Sequence, residues 1–152
     1  MLFRSDIRVA KNPKEAIEHA DIICTATGST IPVFADKDVK SGTHISAIGA
    51  YTPVMHEAPI ETVARARIVV DSYATVMDEA GDIVKAIQAG LIKESNIYAE
   101  IGEIIVGKKT GRQSDDEITF FKSVGNAVQD AAAAQLALKN AREMKLGTEI
   151  NF

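Results

Sequence analysis

The apolar positions of this chain fall into short runs separated by stretches with helical spacing. "DIRVA" predicts a short strand over Ile7 to Ala10, and "DIICTAT", "THISAIGA", "ARIVVDS" and "EITFFKSVG" predict four more. The first three of these four are rich in isoleucine or valine, as expected of strands covered on both faces. In "NPKEAIEHA", Asn12 is a helix cap, Pro13 takes the first helical position and Glu15 is placed to reach back as a capping-box partner. "PIETVARA" predicts a short helix, and "YATVMDEAGDIVKAIQAG" a pair interrupted at Gly81 and stopped by Gly90. The last helix runs from Gly125 to Lys145, with Ala127, Ala131, Ala134, Leu138 and Ala141 on one face. So small a face lets another element approach closely. "LGTEINF" closes the chain as an extended segment. Strands alternating with helical segments predict an α/β fold, a parallel sheet with crossover helices.

Composition narrows the setting. At 152 residues the chain holds one core and no second domain of similar size. A net charge of −4 gives no basic footprint, so nucleic acid is not an expected partner. No run approaches the roughly 18 apolar residues of a membrane span, and the first residues lack an apolar signal core. Cys24 is the only cysteine, which excludes an internal disulfide and predicts a reducing, cytoplasmic setting with a buried structural thiol.

Chemistry concentrates at the strand ends. In an open parallel sheet, ligands bind beyond the carboxyl ends of the strands. "IIC" runs into Thr25-Ala26-Thr27-Gly28, "HISAI" into Gly49-Ala50-Tyr51, "RIVV" into Asp71-Ser72, and "TFFK" into Ser123-Val124-Gly125. Any one of these ends is what a local turn or helix cap also uses. Four together point to a shared site for a flat, polar ligand.

A dinucleotide fold holds pyrophosphate on a G-x-G-x-x-G turn, and the 152 residues contain none. "GEIIVGKK", Gly102 to Lys109, nearly matches a phosphate loop. Lys109 nevertheless stands where a hydroxyl is required, and Ile104-Ile105-Val106 is too apolar for a phosphate cradle. Lys108 and Lys109 are read as solvated. His44 and His56 lack the three or four convergent ligands of a metal site, so no metal is assigned. Arg112, Asp115, Asp116 and Glu117 read as a mutually paired cluster, with Arg112 left as a candidate border of the crevice.

The segments "EAIEHADIICTATGSTIPV", "GTHISAIGAYTP", "ARIVVDS", "EAGDIVKAIQAG" and "GEIIVGKKTGRQSDDEITFFKSVGNAVQDAAAAQLA", in that order, resemble the ornithine cyclodeaminase and mu-crystallin family, which includes archaeal-type alanine dehydrogenases. The resemblance implies a Rossmann-like NAD(P)-binding domain, here its later part over residues 1–124. Residues 125–152 would be the helix and tail that return to a substrate and dimerisation domain. It implies that Thr25, Ala26 and Thr27 line the adenosine-to-ribose side of NAD or NADP. Ile48 and Gly49 would lie near the nicotinamide, Asp71 and Ser72 beside the cofactor, and Ser123, Val124 and Gly125 against the ring. The family's glycine-rich turn, and the lysine and arginine that hold the substrate carboxylate, have no counterpart here. Weak dinucleotide binding by this chain is therefore expected, and association with a missing part or with another copy.

The implied activity is oxidoreductase or cyclodeaminase chemistry on a small amino, keto or imino acid. One departure bears on this. Where characterised cyclodeaminases and alanine dehydrogenases carry a catalytic aspartate after the "G-A" turn, this chain has Tyr51. A phenol, with a reference pKa near 10, is a poor base at neutral pH. Members lacking that aspartate include imine reductases and thyroid-hormone-binding mu-crystallins. Imine reduction and non-catalytic ligand or partner binding therefore stand beside ornithine cyclisation.

Overall fold

A computed structural model of the chain describes residues 7–148 and Ile150. Five parallel strands form one sheet: β1 (Ile22–Thr25), β2 (His44–Ala47), β3 (Arg67–Val70), β4 (Ile97–Glu100) and β5 (Thr119–Lys122). Their spatial order is β1-β2-β5-β3-β4, so the last strand in sequence fills the centre. The α/β class and the parallel sheet are as the pattern predicts.

One row of side chains shows why this register holds. Ile23, Ile45, Phe120, Ile68 and Ile97 are in register across all five strands and are all buried. A one-residue slip of any strand would move its member of this row to the opposite face. Helices α2 (Ile60–Arg65), α3 (Tyr73–Glu79) and α4 (Gly81–Gln88) bring Val63, Val76, Ala80, Ile83 and Ala86 to the same core, and α1 (Pro13–Ile17) adds Ile17. The start of α1 follows its sequence signals, with Asn12 Oδ1 accepting the Glu15 amide at 2.9 Å. Glu15 itself reaches one residue further than a capping box requires and accepts the Lys11 amide at 3.0 Å.

The second face of the sheet corrects the expectation of two-sided cover. β1, β2 and β5 alternate between buried and more open positions, and only β3 has three buried residues in succession. Helix α5 (Ile101–Ile105) lies on this side, where Ile101 and Ile104 share a groove of about 400 Å³ with Val69 and Phe121. Five residues are too few to reach β1, and Cys24 is exposed rather than buried.

Ile7 to Ala10 is not a strand. Ile7 and Val9 are exposed, and β1, the edge strand, pairs only with β2 among the described residues. Without a neighbour a β-run has no ladder to join. Among the strands and α-helices, two elements were not predicted, β4 and α5. They abut with no loop between them, so "NIYAEIGEIIVG" shows neither a clean alternation nor a full helical period.

Helix α6 (Ala127–Glu143) starts at Asn126, whose side chain accepts the Val128 amide at 3.1 Å. It is shorter than predicted by two residues at each end. Residues 127–140 are exposed throughout, so the small-residue face meets no other element among the described residues. The closing extended segment lies partly outside the described residues, and Leu146 to Thr148 are not in a strand.

Candidate functional site

With all strands parallel, their carboxyl ends lie along one edge of the sheet, and the ladder continues beyond them. The Ile48 amide donates to Thr25 O at 2.9 Å, the Ser123 amide to Ala47 O at 3.2 Å, and the Asp71 amide to Lys122 O at 3.1 Å. The ends of β1, β2, β5 and β3 therefore stand side by side in that order. The structure brings together the four segments that the sequence singled out.

Two carboxylates bind these ends to one another. Asp71 Oδ1 accepts the Ser72 amide at 2.8 Å, while Oδ2 accepts Ser123 Oγ at 2.7 Å and the Val124 amide at 3.2 Å. Ser123 Oγ in turn accepts the Gly125 amide at 3.2 Å. This set joins β3 to β5.

Glu57, on the loop between β2 and α2, joins β1 to β2. Its Oε1 accepts the Thr27 amide at 2.5 Å, and its Oε2 accepts Thr25 Oγ1 at 2.9 Å and the Gly49 amide at 2.8 Å. The side chain is wholly buried. Burial alone pushes this carboxyl up, but the bonds from Thr27, Thr25 and Gly49 together outweigh it and hold it below the ordinary glutamate range. A carboxylate so fully engaged is a poor proton acceptor, so Glu57 holds the backbone in place and is not a catalytic base.

Gly49 is required where it stands. A Cβ there would fall 2.1 Å from Thr27 O and 2.2 Å from Thr27 N, inside the backbone of the neighbouring loop.

Beneath this layer lies a buried ion pair. Lys122 Nζ is 3.0 Å from Asp82 Oδ2, and both side chains are 0% exposed. The two atoms are close without being aligned as a hydrogen bond. Asp82 Oδ1 accepts the amides of Glu57 at 2.7 Å and Ala58 at 3.0 Å. Sequence reasoning missed Glu57, Asp82 and Lys122. A signal for the last was present: period-two alternation in "TFFK" places Lys122 on the same face as Phe120, and a lysine on a core face needs a buried acid.

The surface beyond these strand ends is apolar and hydroxylic. Ala26, Thr27, Ile48 and Gly125 are exposed, Gly49, Asp71, Ser72 and Val124 are half-buried, and Tyr51 stands exposed at the rim. Thr25 and Ser123 are buried, with their hydroxyls bonded to Glu57 and Asp71. None of these residues is basic, so they offer no charge partner to a phosphate. It suits an uncharged ring or a ribose.

Other candidates lie elsewhere. Arg112 is not at the crevice: it donates to Glu117 O and, at 3.0 Å, to Thr119 Oγ1, at the amino end of β5. Among the described residues it makes no close ion pair with the neighbouring acids, although its charge helps to hold Glu117 low; the close partner of Glu117 is Arg67, at 2.6 Å. Lys109 is not simply solvated, because its Nζ bonds Tyr98 O at 2.8 Å and lies 5.0 Å from the Tyr98 ring centre.

His44 Nδ1 is 2.8 Å from Thr119 Oγ1. Burial and then Arg112 push its ring below the usual histidine range. His56 is held low by burial and by Lys85 against the opposing pull of Asp82. Among the described residues, no three His, Cys, Asp or Glu side chains converge as a metal-holding group. No helix among them is long and apolar enough to cross a membrane.

This geometry can be set beside known proteins. The chain is 44% identical over 145 residues to a Delta(1)-pyrroline-2-carboxylate reductase of Bacillus cereus, covering 95% of this chain and 44% of that protein. A solved structure of the Thermococcus litoralis Delta(1)-pyrroline-2-carboxylate reductase in complex with NADH and L-proline superposes with a TM-score of 0.85 at 40% identity. The match covers 93% of this chain and 44% of that one. An archaeal alanine dehydrogenase dimer with bound NAD gives a TM-score of 0.81 at 40% identity, with the same coverage. The sheet and its helices are thus Rossmann-like. The chain spans less than half the length of these proteins. The profile of the ornithine cyclodeaminase/mu-crystallin family matches residues 2–145, nearly the whole sequence. On this match and these identities, the chain belongs to the ornithine cyclodeaminase/mu-crystallin family.

Proposed function

We propose that the crevice receives the nicotinamide and adjoining ribose of NAD(P)(H), and that the protein acts in hydride transfer to a small imino acid. The observation that carries this is the row of four strand ends. Their inward amides are satisfied by Glu57 and Asp71, while Ile48 and Val124 are left as apolar walls. A nicotinamide supplies hydride exchange when bound, and a fixed, dry ring face is what that exchange needs. Ile48 and Val124 would exclude water from the ring, with Thr27 and Ser72 beside the ribose. The Val124 and Gly125 amides are already engaged by Asp71 and Ser123, so a carboxamide would be held here through its NH2 group by backbone carbonyls.

Tyr51 directs the choice of substrate. With a phenol at the rim rather than a carboxylate, the site lacks the base expected for ornithine cyclisation, and imine reduction is the better fit. The likeness to pyrroline-2-carboxylate reductases supports a cyclic imino acid as substrate. Residues 125–152 would dock away from the nucleotide domain, consistent with the exposed α6. The open edge of β1 and the exposed helix favour association into an oligomer.

NADH and NADPH fluorescence titrations of the chain, followed by turnover of a full-length protein carrying it with Delta(1)-pyrroline-2-carboxylate, pyruvate plus ammonia, and ornithine, test this reading. The chain alone is expected to bind saturably but weakly and to be inactive, whereas a full-length protein carrying it should turn over the cyclic imine fastest and ornithine not at all. A second reading, ligand binding without catalysis, is favoured by Tyr51 alone. Binding without any turnover would support it. Absence of both binding and turnover would overturn the first.

A further inference from the structure

The Lys122–Asp82 pair has a geometry that packing alone does not require. Lys122 is the last residue of β5, in register with Ala47 of β2 and Val70 of β3, and it immediately precedes Ser123 of the crevice. Its ammonium extends on the core face to the first turn of α4, where Asp82 divides its two oxygens between different tasks. Oδ2 faces Lys122, while Oδ1 takes the amides of Glu57 and Ala58. The Glu57 side chain then takes the amides of Thr27 and Gly49. A continuous chain of contacts thus leads from the central strand, through α4, to the ends of β1 and β2.

We propose that Lys122 and Asp82 are positioning residues for the nicotinamide crevice. Their pairing sets the height of the Glu57 backbone, and through the Glu57 carboxylate it fixes where Thr27 and Gly49 stand relative to Ser123 and Val124. The idea rests on the cofactor reading above for its functional consequence, but not for its structural one. Every buried charge in the chain of contacts has a stated partner, so neutralising the pair releases the loop from β5 while no crevice residue is itself substituted. A remote pair acting in this way would couple to Glu57, and residues that share one network do not add independently.

Amide spectra of the 15N-labelled chain test this directly, because Thr27 and Gly49 report the bonds to Glu57. In wild type, both amide protons should lie far downfield, as short bonds to a carboxylate require. In Asp82→Asn, which keeps the Oδ1 acceptor, and in Lys122→Met/Asp82→Asn, which leaves no lone buried charge, both should move upfield. The core amides of Ile45 and Phe120 should stay in place. NADH affinity should fall about tenfold in either variant, and by no further factor when Glu57→Gln is already present. Two variants are used so that either one that folds decides the matter. Unmoved Thr27 and Gly49 amides in a folded variant, or a full additional loss in the Glu57→Gln background, would overturn the proposal. If wild type fails to bind NADH, the cofactor reading falls, and the amide shifts alone still decide whether the pair positions the loop.

Discussion

Glu57→Gln is expected to destabilise the chain by about 3 kcal/mol, the scale of losing a charged acceptor and leaving a buried donor unpaired. The geometry leaves the amide no good orientation. With its NH2 on the Oε1 side it faces the Thr27 N–H; turned over, it faces the Gly49 N–H. One backbone donor is unpaired in either case. Thermal or urea unfolding of the variant beside wild type measures the loss.

The same carboxylate sets a pH dependence. Glu57 in the folded chain ionises below the ordinary glutamate range, so at mildly acidic pH the unfolded chain binds more protons than the folded one. Its stabilisation is fully present above the unfolded value of about 4.3 and is lost as pH falls through the lower, folded value. Unfolding free energy measured against pH should show this loss in wild type, and a shallower slope over that window in Glu57→Gln.

Gly49→Ala should be as damaging, for a different reason. The added methyl group would meet Thr27 O at 2.1 Å, Thr27 N at 2.2 Å and Glu57 Oε1 at 2.6 Å. Two of these are backbone atoms of the adjoining loop, which can withdraw only by breaking the bond from Ile48 N to Thr25 O and the bonds to Glu57. A cost of about 3 kcal/mol is expected, at the upper end for overpacking. Nucleotide affinity should fall with it, since the strand ends would separate. Gly28→Ala is the control: its methyl group would meet only Met55 Cε, at 3.9 Å, and should be close to neutral in the same unfolding assay.

The sheet was legible because four of its strands are short apolar runs bounded by small residues, and because Asn12 and Gly90 mark helix ends in familiar ways. The strand ends were legible as well, since hydroxyls and glycines after such runs are a local signal. What escaped was long-range. Glu57 lies 32 residues from Thr25 and 30 from Thr27, and nothing in "HEAP" says that its carboxylate turns inward to meet them. Asp82 and Lys122 are 40 residues apart, and the buried ammonium of Lys122 is explained only by Asp82. Cys24 was misjudged because alternation tells which residues share a face, and the covering of that face depends on helices elsewhere. Ile7 to Ala10 has the composition of a strand, but strand formation is decided by a neighbour.

The central claim is that the ends of β1, β2, β5 and β3 together form the seat of a nicotinamide. The most direct measurement is of intermolecular NOEs from the nicotinamide ring protons of NADH to the methyl groups of the labelled chain. The account predicts contacts to Ile48 and Val124, with amide shifts confined to Thr27, Gly49, Ser72 and Gly125. Ring contacts at the amino ends of the strands, around Arg65, Arg67 and Glu117, or at the groove beside Phe121, with Ile48 and Val124 silent, would contradict it.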